Sequence, residues 1–267
     1  MAAYPGSVSP TEAIRFAARR RLKKARAYGF EGPPFCPRIL ASILGIKTRA
    51  DSLPPGLDAL LAPEPDGQLT IVWNESAPGK RANFSVAHEI GHTLFPSCAV
   101  DAQFRTQGGL NFHPDQFIER LCDIAAAELL MPLDDFRGDL AEHGATTASV
   151  LALSDRYQAS PEAVALRMQA LSPEPLAVAR FEDAEQANVL YCVGNRAIRN
   201  VCAGLAATSE LRPPMSSSVR AALSGGPPGA VATEVWDVAG ASVTFQVDAM
   251  SLDSDEVARA LVLLRPV

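Results

Sequence analysis

The spacing of apolar residues changes several times along the chain, and each change marks an element. Ala13, Ile14, Phe16, Ala17 and Leu22 recur at helical spacing behind Ser9-Pro10-Thr11-Glu12. That string combines a capping box with proline at the first helical position, so a helix is predicted from Pro10 to about Tyr28. Gly32-Pro33-Pro34 breaks the chain, and Arg38 to Leu44 predicts a short helix closed by Gly45. The pattern then becomes extended: Leu57 to Leu61 and Gln68 to Trp73 flank Pro63-Glu64-Pro65-Asp66-Gly67 and predict a hairpin. Asn74 to Lys80 reads as a loop. Helical spacing returns in Phe84, Ala87, Ile90, Gly91 and Leu94, with Asn83 to Val86 as a polar cap region, and again in Ile118, Leu121, Cys122, Ala125 and Leu129, ending near Pro132. Between these two helices, Pro96 to Asp115 has little periodicity. Ser149 to Tyr157, and a helix from Ser160-Pro161-Glu162 to Leu171, have the form of a helix-turn-helix pair. Beyond Ser172-Pro173-Glu174-Pro175 the chain turns extended again, in Leu176 to Phe181, Asn188 to Val193, Thr233 to Val238, Ser242 to Val247 and Leu261 to Leu264. The expected class is therefore α+β, with one domain over 1–172 and a small β-rich or α+β domain over 173–267.

The chemistry concentrates in Val86-Ala87-His88-Glu89-Ile90-Gly91-His92. Histidines four apart sit one turn above each other on a helix and aim two imidazole nitrogens at one ion, with Glu89 beside them. Zinc in such a site polarises water, and the adjacent carboxylate takes its proton. His88 and His92 are the candidate ligands and Glu89 the general base. Gly91 leaves room for a neighbouring element to approach the metal. A catalytic zinc needs a third protein ligand, and no third histidine follows at short spacing. The helix around Phe117 to Met131 offers Glu119 and, as a rival, Glu128, which lies about 180° round the same helix. Glu119 is favoured because Asp123, one turn on, can accept the free ring N–H of a ligating histidine. His113, in the preceding loop, is a candidate oxyanion stabiliser. His143 reads as an exposed helix end. The same donor set also accepts other divalent metals.

HEIGHTLF, ERLCD and AAAELLMP resemble the ImmA/IrrE metallopeptidases over about residues 9 to 172. That resemblance implies a gluzincin-like zinc peptidase domain: N-terminal helices, a small sheet with antiparallel pairing, the HExxH helix, a glutamate helix and helix-turn-helix-like helices. It implies His88, His92 and Glu119 as metal ligands and an intracellular endopeptidase that cleaves a helix-turn-helix repressor, inducing stress-response or mobile-element genes. In zinc peptidases of this type an edge strand pairs with substrate, for which Leu69, Thr70, Ile71 and Val72 are the candidates, with a plain core strand as the alternative. One branch of the family carries a sensor-like C-terminal domain. The rival class is a non-catalytic, metal-stabilised module that binds protein or DNA on a peptidase scaffold.

Composition narrows the setting. The chain has 267 residues, 48% hydrophobic and 20% charged, as soluble globular proteins do. No apolar run reaches membrane-span length and the start lacks a basic-then-apolar signal, so a cytoplasmic location without membrane contact is expected. Five cysteines without a C-x-x-C pair indicate reduced thiols, and Cys122 lies on an apolar stripe where packing is favoured over ligation. A net charge of −6 argues against a generally nucleic-acid-binding surface. Yet residues 1 to 30 carry Arg15, Arg19, Arg20, Arg21, Lys23, Lys24 and Arg26 against Glu12 alone. Such a helix can touch DNA, an acidic partner or the acidic remainder of the protein, the last being preferred.

Overall fold

The computed structural model describes residues 8–96, 116–202, 205, 211–228, 231–252 and 257–267. They form two compact units, Met1–Phe136 with Asp155–Ser160 and Arg137–Ser154 with Pro161–Val267. Composition places a boundary after residue 172, whereas packing counts 137–154 and 161–171 with the C-terminal sheet.

In the first unit, α1 (Pro10–Arg26) starts where the capping residues put it, with the Glu12 N–H donating to Ser9 Oγ at 3.3 Å. Its buried stripe is Ile14, Ala18, Leu22 and Ala25, which leaves Phe16, expected on the inner side, 59% exposed. After α2 (Pro37–Ile43), Gly45 at φ 78° turns the chain into β1 (Lys47–Asp51). No apolar alternation announces this strand, because its residues are mostly polar and exposed. β2 (Ala59–Pro63) and β3 (Leu69–Asn74) form the expected hairpin, antiparallel and in register from Ala59↔Trp73 to Pro63↔Leu69.

The strand order is β1-β3-β2, with β1 parallel to β3. This corrects the reading of Leu69, Thr70, Ile71 and Val72 as a substrate-pairing edge. β3 is the central strand, both of its edges are hydrogen-bonded, and Thr70, Ile71 and Val72 are buried. A strand adds only to an unpaired edge, which among the described residues β1 and β2 have and β3 lacks.

Helix α3 (Gly79–His92) packs on β2 and β3 and begins before the expected cap region. Asn83 lies inside it and donates from its side-chain amide to the Gln158 carbonyl at 3.2 Å instead of capping. Helix α4 (Gln116–Leu130) packs between α3 and α1. At the α3–α4 crossing the backbones nearly touch. A Cβ on Gly91 would lie 3.1 Å from both Cys122 Cα and the Cys122 carbonyl oxygen, and 3.3 Å from Ala125 Cβ.

Three helices follow: α5 (Leu133–His143), α6 (Thr147–Tyr157) and α7 (Pro161–Leu171). The second unit is built on a six-stranded antiparallel sheet of order β5-β4-β9-β8-β7-β6. Its strands are β4 (Ala177–Glu182), β5 (Asn188–Gly194), β6 (Leu211–Arg212), β7 (Val231–Val238), β8 (Ala241–Leu252) and β9 (Arg259–Pro266). Short helices α8 (Arg196–Val201) and α9 (Ser218–Leu223) contribute Ile198, Val219 and Leu223 to the sheet's apolar core, where Trp236 meets Phe181 and Phe245 edge-on at 5.8 and 6.1 Å. β6, α8 and α9, none foreseen, are too brief to show periodicity.

Two polar contacts, one buried and one partly buried, tie helices of this unit to its sheet. Asp248 on β8 accepts from the Thr147 N–H and hydroxyl at 2.8 and 2.6 Å, capping α6 from another element. Glu162 on α7 accepts from Arg180 and Tyr191, and Val164, Ala165, Arg167, Met168 and Gln169 of the same helix are buried. The second helix of the helix-turn-helix-like pair thus presents its side chains to the protein.

A Gly91→Ala chain tests the crossing. Alanine gains about 1 kcal/mol of helix propensity. The added methyl faces backbone that cannot swing aside, however, and overpacking of that kind costs about 1–3 kcal/mol. Overpacking wins, and urea denaturation is expected to show a net loss of up to ~2 kcal/mol.

Candidate metal centre

α3 presents His88 and His92 on one face and α4 presents Glu119 and Asp123 on the face opposite. His88 Nε2 is 2.9 Å from Glu119 Oε2, His92 Nε2 is 3.5 Å from Glu119 Oε1, and the two imidazole Nε2 atoms are 3.2 Å apart. On the far side of its ring, His88 Nδ1–H donates to Asp123 Oδ1 at 2.9 Å. The imidazoles meet edge to face at 5.0 Å, and the Phe84 ring lies 6.4 Å from His88. Glu89, the middle residue of the motif, is buried, as is His92, while His88 is half-buried.

The donor set suits a divalent cation. Ligand atoms about 2.05 Å from one tetrahedral ion stand about 3.3 Å apart. The spacings of 2.9, 3.2 and 3.5 Å are close to that, and two imidazole nitrogens facing each other beside a carboxylate need a positive charge among them. In the metal-free protein that charge is a proton. Burial by itself would lower the pKa of His88, but hydrogen bonds to Asp123 and Glu119, and the charge of Glu89, outweigh it and raise it to about 9.

Two further groups stand close by. Cys122, one turn from Glu119, is fully buried, and its Sγ lies within 4.8 Å of the ligand atoms of both histidines, so the helix that brings the carboxylate also brings a thiol. Glu128 lies elsewhere. It is fully buried and accepts from Arg19 Nε at 2.8 Å, on the side of α4 that faces α1. The sequence singles out Glu128 only as a rival ligand. Its partner, 109 residues away, leaves no local signal. His113 lies outside the described residues, as does 97–115 as a whole. His143 is the exposed last residue of α5 and donates from Nδ1 to the Asp139 carbonyl.

This geometry separates the two glutamates. Glu119→Ala is expected to abolish metal uptake with little loss of metal-free stability, since the side chain is 28% exposed. Glu128→Ala removes a fully buried carboxylate from a half-exposed Arg19 and is expected to destabilise the fold by about 1–3 kcal/mol while leaving metal binding by the folded protein intact. Metal analysis beside urea denaturation distinguishes them. A pH dependence follows from His88. Its pKa is raised on folding, so its contribution to metal-free stability is complete below about 6.5 and is lost as pH climbs through about 9. Metal affinity runs the opposite way, rising with pH to about 9, because the ion must displace the Nε2 proton. Calorimetry in buffers of different ionisation enthalpy is expected to find about one proton released per ion at neutral pH.

Comparison with known proteins agrees with this part of the chain. Residues 41–169 match peptidase family M78, described as the IrrE N-terminal-like domain. The radiation response metalloprotease IrrE of Deinococcus radiodurans is 27% identical over 133 residues, which make up 46% of this chain and 39% of that protein. The match therefore spans well under half the length of that relative. A solved structure described as a Mycobacterium tuberculosis transcriptional regulator aligns with 97% of this chain and 81% of its own at a TM-score of 0.62 and 14% identity, a likeness of fold. Among the described residues no helix is long and apolar enough to cross a membrane. With both α3 and α4 inside the matched segment, residues 41–169 form a domain of the ImmA/IrrE (M78) type.

Proposed function

We propose that this chain is a zinc-dependent endopeptidase in which His88 Nε2, His92 Nε2 and the Glu119 carboxylate hold one ion. The observation that carries the reading is the convergence of these donors from two helices, with Asp123 bonded behind His88. When bound, the ion supplies Lewis acidity, polarising a peptide carbonyl and lowering the pKa of a water. Glu89 would serve as the general base that accepts a proton from water and as the acid that returns it to the departing amine. Asp123, accepting the Nδ1–H, fixes the tautomer that leaves the His88 Nε2 lone pair free and makes the imidazole a stronger donor. Burial of Glu89 and His92 keeps these groups in a low-dielectric surrounding, where charge–charge terms are strong. Of the two strands whose outer edge is unpaired among the described residues, β2 packs against α3, and we assign strand addition of the substrate backbone to it.

The substrate class rests on the family. A helix-turn-helix repressor, cut within a cytoplasmic stress or mobile-element response, is the protein this chain is proposed to cleave, and the name of the Deinococcus relative, a radiation response metalloprotease, supports that setting. The C-terminal sheet unit is proposed as a sensor or docking module. The same donors accept manganese, iron or cobalt, so the native ion is set by supply as much as by geometry.

Glu89→Gln decides between a peptidase and a non-catalytic module. The variant keeps the ligands and loses the base, so metal content is expected to stay the same while turnover falls about 10²–10⁴-fold. Profiling of new protein N-termini in a lysate treated with the zinc-loaded chain is expected to reveal cleavage that the variant does not produce. Identical profiles for the two chains would refute the peptidase reading.

A further inference from the structure

Of the seven cations of α1, three are held within the protein: Arg15 by Glu12, Arg19 by Glu128 and Arg26 by Asp135. Arg20, Arg21, Lys23 and Lys24 make no ion pair with any described residue, and Arg20, Lys23 and Lys24 are exposed. The three exposed cations Arg20, Lys23 and Lys24 occupy about 6 Å of helix rise, near one charge per 2 Å. Like charges three and four residues apart repel one another, and among the described residues no carboxylate forms an ion pair with any of these. A matching counter-charge density exists along a nucleic-acid duplex, which carries one charge per about 1.7 Å.

The rest of the face narrows the partner. At 100° per residue, Phe16, Arg20, Lys23 and Lys24 fall within an arc of about 100°, so the aromatic ring stands among the cations. Phe16 is the one large apolar side chain exposed on α1. One ring makes neither the groove an acidic amphipathic peptide needs nor the apolar stripe of a membrane-surface helix. It does make a stacking platform for a single base, since every base has a π-face.

We propose that the outer face of α1 is a sequence-independent nucleic-acid-binding surface, in which Arg20, Lys23 and Lys24 contact backbone phosphates and Phe16 stacks on an unpaired base. The surface is independent of the metal centre and of the peptidase reading. It is also compatible with a net charge of −6, because a local basic patch attracts phosphate within a Debye length whatever the distant charges are.

Fluorescence anisotropy of the full chain with a labelled single-stranded oligonucleotide, and with the duplex of the same sequence, tests this. Three phosphate contacts predict single-strand affinity falling roughly 20-fold between about 50 and 200 mM salt. The charge reversal R20E/K23E/K24E is expected to weaken both complexes more than tenfold, with the helical circular dichroism unchanged. Phe16→Ala is expected to weaken the single-strand complex about fivefold or more and to leave the duplex complex unaltered. Absence of binding at about 50 mM salt, a salt range in which such contacts are strong, would overturn the proposal. So would undiminished binding by the charge-reversed chain, or binding of polyglutamate as tight as that of the oligonucleotide, which would make the face an acidic-protein surface.

Discussion

Gly91 allows α3 and α4 to approach until the backbone of Cys122 stands where a side chain would be, and the donor cluster depends on that approach. One turn before the contact, α4 carries Glu119. At it lies Cys122, and beside it Asp123 reaches the far nitrogen of His88. Helix spacing supplies the donors in pairs, histidines at i and i+4 on one helix and carboxylates at i and i+4 on the other, but only a short interhelical distance brings the two pairs into hydrogen-bonding range. The other side of α4 is fixed by different means: Glu128 is drawn to Arg19 of α1. One helix thus carries acidic groups on opposite sides, one side facing a place for a cation and the other facing a cation of the protein's own. Glu128 stands nine residues from Glu119, about 13.5 Å along the helix axis as well as on its opposite side, so it anchors α4 to α1 while Glu119 alone reaches the histidines.

Much of this site is legible in the sequence because it is local. Intervals of four residues within α3 and α4 encode which side chains share a face, and a serine cap followed by a proline announces α1. The apolar periods of the hairpin and of the long β7, β8 and β9 are equally readable. What escapes is set by tertiary position. β1 has no apolar face to betray it, and its parallel pairing makes β3 central, a fact about strand order that the pattern of β3 itself does not contain. A strand buried on both faces reads the same whether its edges are free or paired. Phe16 fits a helical apolar face by spacing, yet the buried stripe runs one step round, through Ala18 and Ala25, where small residues allow α1 to lie close on its neighbours. The Arg19–Glu128 and Thr147–Asp248 contacts join residues more than a hundred apart.

The C-terminal unit obeys the same physics with no chemistry on display. Its sheet buries aromatic residues on one side, and the polar residues among its strands are engaged in holding helices, as Asp248 and Arg180 do. A helix-turn-helix outline in the sequence therefore predicts a packing element as readily as a reader of DNA, and the buried side chains of α7 favour packing.

The central claim is that two imidazoles and one carboxylate bind the ion, with the neighbouring thiol outside the coordination sphere. X-ray absorption at the zinc edge of the zinc-loaded chain addresses it directly. The account predicts only nitrogen and oxygen neighbours, at about 2.0–2.2 Å, with two of imidazole type. A sulfur neighbour at about 2.3 Å would place Cys122 in the coordination sphere and contradict it.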